Sequence, residues 1–166
     1  MVYAAHFSLK DLPFRLNPDP TFFCSLPDHY SALNTLLFHV KNGENFIKIT
    51  GEVGSGKTLL CQLLIHQLNG QFLTIYLPSP DIDSLSLKRS LARSLEIPHA
   101  RVAEPDALFG AIQERLLGLH KAKSRVVLVI DEAQTLAIES LETLRLLTNL
   151  SPTSSPNLQI ILCGQP

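Results

Sequence analysis

The chain has 166 residues, 45% apolar and 17% charged, with a formal net charge of −1. That is enough for one ordinary domain with a real core, and too apolar for a disordered chain. The near-neutral balance offers no broad basic field for nucleic acid or an anionic membrane, which lowers a DNA-binding reading without removing a local patch. Cys24, Cys61 and Cys163 are far apart with no C-x-x-C pair. This speaks against a disulfide framework or a zinc site and for reduced thiols in a cytoplasmic protein. The six histidines are scattered, with no H-x-x-x-H pair to hold a metal. No basic-then-apolar leader opens the chain, and no apolar run exceeds five residues, far short of the roughly 20 a membrane span needs.

Residues 1–27 read as an irregular arm, because Pro13, Pro18, Pro20 and Pro27 break any helix. The arm carries Phe7, Phe14, Phe22 and Phe23, more aromatics than a disordered tail keeps, so it is expected to pack onto the body. Residues 28–166 form the body. Asp28 is the expected N-cap of a first helix whose stripe is Leu33, Leu36, Leu37 and Val40. Gly43 ends it. Asn45 to Thr50 reads as a strand.

Next comes Gly51-Glu52-Val53-Gly54-Ser55-Gly56-Lys57-Thr58, which fits G-x-x-x-x-G-K-[ST] at every fixed position. Its glycines let successive N–H groups turn inward onto phosphate oxygens. The helix that follows aims its unpaired N–H groups and positive dipole end at the same anion. Lys57 is the expected ligand of the β- and γ-phosphates, Thr58 an expected Mg²⁺ ligand, and Leu59 closes the nucleotide-binding run. Leu59, Leu60, Leu63, Leu64 and Leu68 are the expected buried face of that helix.

Phe72 to Leu77 reads as a second strand, stopped by Pro78-Ser79-Pro80. Helices are expected over Ser84–Leu95 and Asp106–His120. Val126 to Ile130 is a continuous apolar run of the kind found in parallel strands covered on both faces. Ile138 to Leu150 reads as a helix with Leu141, Leu144, Leu147 and Leu150 inward, and Leu158 to Cys163 as a fourth strand. Alternating strands and helices imply a three-layer α/β/α domain on a parallel sheet, with its site at the carboxyl ends of the strands.

The Val126–Ile130 strand ends in Asp131-Glu132. An apolar strand followed by an acid is the Walker B pattern, with Asp131 placed to hold Mg²⁺ through its water shell. Glu132, one residue further, is placed to polarise water for attack on the γ-phosphate. On its own this pair also fits a capped strand end; joined to the phosphate loop it indicates hydrolysis. No Asn-Lys-x-Asp or Asp-x-x-Gly element is present, so ATP is preferred over GTP. Gln165 follows the fourth strand and is a candidate to orient water or sense the γ-phosphate, with a plain polar loop residue as the alternative.

These residues together resemble a known family. Tyr3, Phe7, Leu12-Pro13-Phe14, Asn17-Pro18-Asp19-Pro20, Phe22-Phe23, His29 and Ala32-Leu33 are followed by Thr50 to Thr58, Val129 to Gln134, Leu144 to Leu150 and Gly164-Gln165-Pro166. The series is similar to the AAA+ ATPases of the ExeA type, which serve bacterial general (type II) secretion and MSHA type IV pilus biogenesis. Phe46-Ile47-Lys48 and Leu59-Leu60-Cys61 look closest to the MSHA-pilus branch.

The resemblance implies a sheet in which the Gln165 strand lies between the phosphate-loop and Asp131 strands, with Gln165 as the sensor-1 residue. It implies that Pro13 and Phe14 help enclose the adenine, with ordinary packing as the alternative. It also implies homo-oligomeric rings completed by a neighbour's arginine, ATP and Mg²⁺ as ligands, and a cytoplasmic location at or anchored to the inner membrane beside pilus or secretion components. Measured against the family pattern, the 166 residues read as a piece of the ATPase core that lacks the fifth strand and helical lid, with weak or absent hydrolysis expected. Two rivals remain: a DNA-linked AAA+ transposition helper, and a nucleotide-responsive oligomerising scaffold with incidental turnover.

Overall fold

In the computed structural model, residues 6–9, 27–78, 83–98, 105–149 and 157–166 are described. Pro13, Phe14, Cys24 and Leu150 lie outside them. Helix α1 spans Pro27–Asn42, strand β1 Phe46–Thr50, α2 Lys57–Leu68 and β2 Leu73–Leu77. Then come α3 at Ser84–Ser94, α4 at Pro105–Lys121 and β3 at Val126–Ile130. A short 3₁₀ turn at Ala133–Thr135, α5 at Ile138–Thr148 and β4 at Leu158–Gly164 complete the order.

The four strands form one parallel sheet in the order β1-β4-β3-β2. The last strand is thus inserted between the first and third, as the resemblance implied. Every residue of β3 is buried, which explains its unbroken apolar run. On one face, Val127, Val129, Ile161 and Cys163 meet α1 and α2. On the other, Leu128, Ile130 and Ile160 meet α3, α4 and α5. Strand β1 lies at an edge, with Phe46, Lys48 and Thr50 exposed.

Element bounds fall within about two residues of the sequence reading, the usual spread at element ends. Four details differ. Helix α1 begins at Pro27, a favoured first helical residue, so Asp28 sits in the first turn rather than at the cap. There its charge still complements the helix dipole. In α2 the buried residues are Leu60, Cys61, Leu64 and Leu68, with Leu59 and Leu63 only partly covered. Helix α3 has a cap the sequence reading passed over: Asp83 accepts from the Ser86 N–H at 2.7 Å, which draws its carboxyl pKa down.

The largest difference is in α5. Leu141 is 39% exposed, while Ser140 and Thr143 are buried beside Leu144 and Leu147. Thr143 tolerates burial because its hydroxyl donates to Glu139 O at 2.9 Å and lies 2.9 Å from the Ser84 hydroxyl. Outside the body, Phe7 is 67% exposed; this arm residue is not covered.

The sheet's centre carries most of the packing. Leu128→Ala, at a fully buried position of β3, is expected to destabilise the chain by about 2–5 kcal/mol. A lowered urea midpoint measures it.

Candidate functional site

Three strand ends converge because β4 lies between β1 and β3. Thr50 pairs with Gly164 and Ile130 with Leu162. The Gly51 N–H donates to Gly164 O at 3.3 Å. The phosphate loop, Asp131-Glu132 and Gln165 therefore leave the sheet side by side at its carboxyl end, where open parallel sheets bind ligands.

The loop turns on itself, with the Ser55 N–H bonded to Glu52 O at 3.2 Å. Gly56 has φ +84°, and a Cβ there would lie 3.1 Å from His29 Nε2. Glycine is thus required twice over, by conformation and by space. His29 Nε2 donates to Ser55 O at 3.0 Å. In a trans peptide the C=O and N–H point in opposite directions. The histidine on the Ser55 carbonyl therefore turns the Gly56 N–H the other way.

Helix α2 starts at Lys57 with no side-chain cap. Its first N–H groups and its positive dipole end are left to an anion. Lys57 Nζ donates to Gly51 O at 2.7 Å and to Glu52 O at 2.8 Å. An ammonium has three donors, so two steady the loop and one remains for a phosphate oxygen. Glu52, Val53 and Gly54 form the exposed tip.

Asp131 is 2% exposed. Its Oδ2 accepts from Thr58 Oγ1 at 2.6 Å and from the Tyr76 hydroxyl at 3.3 Å, and its Oδ1 from the Glu132 N–H at 3.0 Å. Burial, and then the Asp131 charge, push the Tyr76 phenol pKa well up. The adjacent Thr58 and Asp131 oxygens are hard donors of the type Mg²⁺ takes.

Behind them, the Cys61 and Cys163 sulfurs and an Asp131 oxygen all lie within 4.8 Å of one another. The hydrogen bond to Cys163, followed by burial, raises the Cys61 thiol far above its usual range. It stays protonated and packs as a small apolar side chain.

Glu132 adopts φ 50°, ψ 38°. This left-handed backbone costs a non-glycine residue about 1 kcal/mol or more. It lets the Thr135 N–H and hydroxyl both reach Glu132 O, at 3.0 and 2.9 Å. Gln134 Nε2 donates to Glu132 Oε2 at 2.6 Å, and the Gln165 N–H donates to Gln134 Oε1 at 3.1 Å. Gln165 itself is exposed.

The structure thus gathers Gly51 to Thr58, Asp131, Glu132 and Gln165 at one place. Leu59 is half-buried in the first turn of α2. The site also includes His29, Tyr76 and Gln134, which the sequence reading did not assign. The signal for Gln134 was its place just after Asp131-Glu132, and for His29 its place in the family-like series. A groove of about 590 Å³ runs between α1 and β1, past Ala32, Leu36, His39, Ile47 and Ile49. It lies beside this cluster rather than over it.

Residues 40–166 match the protein family described as AAA domain. Over 165 residues the chain is 34% identical to General secretion pathway protein A of Aeromonas hydrophila, covering 99% of this chain and 30% of that protein. The chain therefore spans less than a third of that relative's length. Among solved structures it is similar to Cdc6p from Pyrobaculum aerophilum, with a TM-score of 0.69 and 21% identity over 98% of this chain and 43% of that one. It is also similar to the Aeropyrum pernix ORC2 protein in ADPNP–ADP complexes, with a TM-score of 0.61 and 16% identity over 84% of this chain and 40% of that one. At such identities the likeness is one of fold.

The bond from His29 to the loop has a measurable consequence. His29→Ala is expected to weaken ATP binding by about threefold to tenfold, the worth of one net hydrogen bond. Titration of a fluorescent ATP analogue reads the change.

Proposed function

The chain belongs to the AAA domain family of ATPases, and from that premise we propose that it binds Mg-ATP and hydrolyses it. The observation that carries this reading is the 2.6 Å contact between Thr58 Oγ1 and Asp131 Oδ2. It brings a hard-oxygen pair to the start of an uncapped helix, with Lys57 and Glu132 beside it. In the proposal Lys57 and the loop N–H groups hold the phosphates. Thr58 and Asp131 hold the cation, which when bound neutralises charge on the β- and γ-oxygens. Glu132 accepts a hydrogen bond from the attacking water and polarises it. Gln165 contacts the γ-phosphate, and Pro13 and Phe14 flank the base.

The relative's name supports a role in general secretion. We propose that the protein works in assembling a type II secretion or MSHA-type pilus machine, the pilus branch resting on Phe46-Ile47-Lys48 and Leu59-Leu60-Cys61. Its place is the cytoplasmic side of the inner membrane, in a homo-oligomeric ring. No helix among the described residues is long and apolar enough to cross a membrane.

Mg-ATP at 100 times its Kd is expected to stabilise the chain by about 2.7 kcal/mol, read by thermal unfolding. Lys57→Ala should abolish the gain; an equal gain in that variant overturns the site. Glu132→Gln should keep the gain and lower turnover by about a hundredfold or more. In the full-length protein it should also block pilus assembly or secretion.

A further inference from the structure

Gln134 lies outside the phosphate loop and has no part in the roles proposed above. Its side-chain amide nevertheless spans two of the groups that do. Nε2 donates to Glu132 Oε2 at 2.6 Å, and Oε1 accepts the Gln165 N–H at 3.1 Å. Only one orientation of the amide satisfies both. A backbone N–H is purely a donor, and an ionised carboxylate is purely an acceptor.

The backbone around it is shaped to the same end. Glu132 takes a left-handed conformation, and the Ala133–Thr135 turn packs against the end of β4. A Cβ on Gly164 would lie 2.6 Å from Gln134 Oε1 and 3.3 Å from the Gln134 N. Glycine at 164 is what lets the turn come this close.

We propose that Gln134 is a positioning residue that couples the γ-phosphate-sensing end of β4 to the water-activating carboxylate of Glu132. The inference rests on the hydrolytic reading of Glu132 and Gln165 given above. A carboxylate held by a short bond to an amide donor has its direction fixed by that amide. The amide is in turn anchored on the Gln165 backbone. A displacement of Gln165 by a γ-phosphate therefore moves the anchor of Glu132. No charge transfer or new bond is needed, only two hydrogen bonds on one rigid planar group. Gln134 bonds to Glu132 and to the Gln165 backbone, so it acts through Glu132.

Two measurements test this. The first reads coupling without turnover, as hydrogen exchange of the Gln165 amide followed by NMR. Removing the carboxylate with Glu132→Ala loosens the Gln134 amide, and exchange at Gln165 is expected to accelerate about threefold to tenfold, one net hydrogen bond's worth. In a Gln134→Ala background the same substitution should leave Gln165 unchanged. Equal acceleration in both backgrounds, or none in either, overturns the coupling.

The second measurement, made in the full-length protein, is single-turnover hydrolysis with saturating Mg-ATP. Gln134→Ala should slow it about tenfold to a hundredfold, the cost of a loosened catalytic group. ATP affinity should stay within about twofold. Gln134→Glu keeps an acceptor for the Gln165 N–H but sets a like charge against Glu132, and should slow turnover at least as much. Unchanged turnover in both variants, or affinity lost in step with rate, overturns the positioning role. If Glu132→Gln instead turns over like the unmodified chain, the hydrolytic reading falls while the exchange coupling stands. The two failures are therefore separable.

Discussion

One buried carboxylate ties this site together. A carboxylate at 2% exposure is tolerated only when its oxygens are hydrogen-bonded. Asp131 meets that demand with three donors from three places: Thr58 in the first turn of α2, Tyr76 on β2, and the Glu132 N–H of its own turn. Satisfying one side chain thus fixes the phosphate loop's helix against the β2–β3 pair. The bond from Thr58 bridges β4, because the sheet order places that strand between the loop's strand and Asp131's. Nothing local in the sequence could bring Thr58 and Asp131 together; the insertion of β4 does.

The fold was legible where burial is complete. β3 and β4 are apolar nearly end to end, and a run of that kind has little alternative to a covered parallel strand. Helix faces were less legible. The leucine count pointed Leu141 inward, whereas α5 turns Ser140 and Thr143 to the core and leaves Leu141 and Ile138 to solvent. Thr143 is acceptable inside because Glu139 O and Ser84 are within reach, and periodicity cannot see such a partner. The order of strands carries no periodic signal either. It followed from the family resemblance.

The site divides the same way. The phosphate loop is read from eight consecutive residues because its glycines, its Ser55–Glu52 turn and the Lys57 ammonium on Gly51 O and Glu52 O all lie within that one stretch. His29, Tyr76 and Gln134 act instead across 26, 55 and 31 residues of sequence. Tyr76 has no distinguishing neighbours along the chain, and Gln134 is marked only by its place just after Asp131-Glu132. What marks them is a close approach that only the folded backbone creates, such as Gly56 against His29 or Gly164 against Gln134. The glycines were visible, but the reason for them lay elsewhere in the fold.

The two adjacent acids are held differently, and the difference fits two kinds of chemistry. Asp131 is enclosed, with both oxygens bonded and the buried Cys61 and Cys163 sulfurs close by, the Cys61 thiol kept protonated by its hydrogen bond to Cys163 and by burial. A rigid, oriented carboxylate suits a small cation that demands near-ideal geometry. Glu132 stands on a left-handed backbone at a looser, partly exposed position, and the neutral amide of Gln134 donates a hydrogen bond to its carboxylate. A neutral donor can be displaced by water at modest net cost, since hydrogen bonds are exchanged rather than lost. A cationic partner would hold the carboxylate roughly twice as strongly. In the proposed role, an acid that polarises water once per cycle is better served by the weaker hold. The turn after β3 provides that hold within one residue of the strong one.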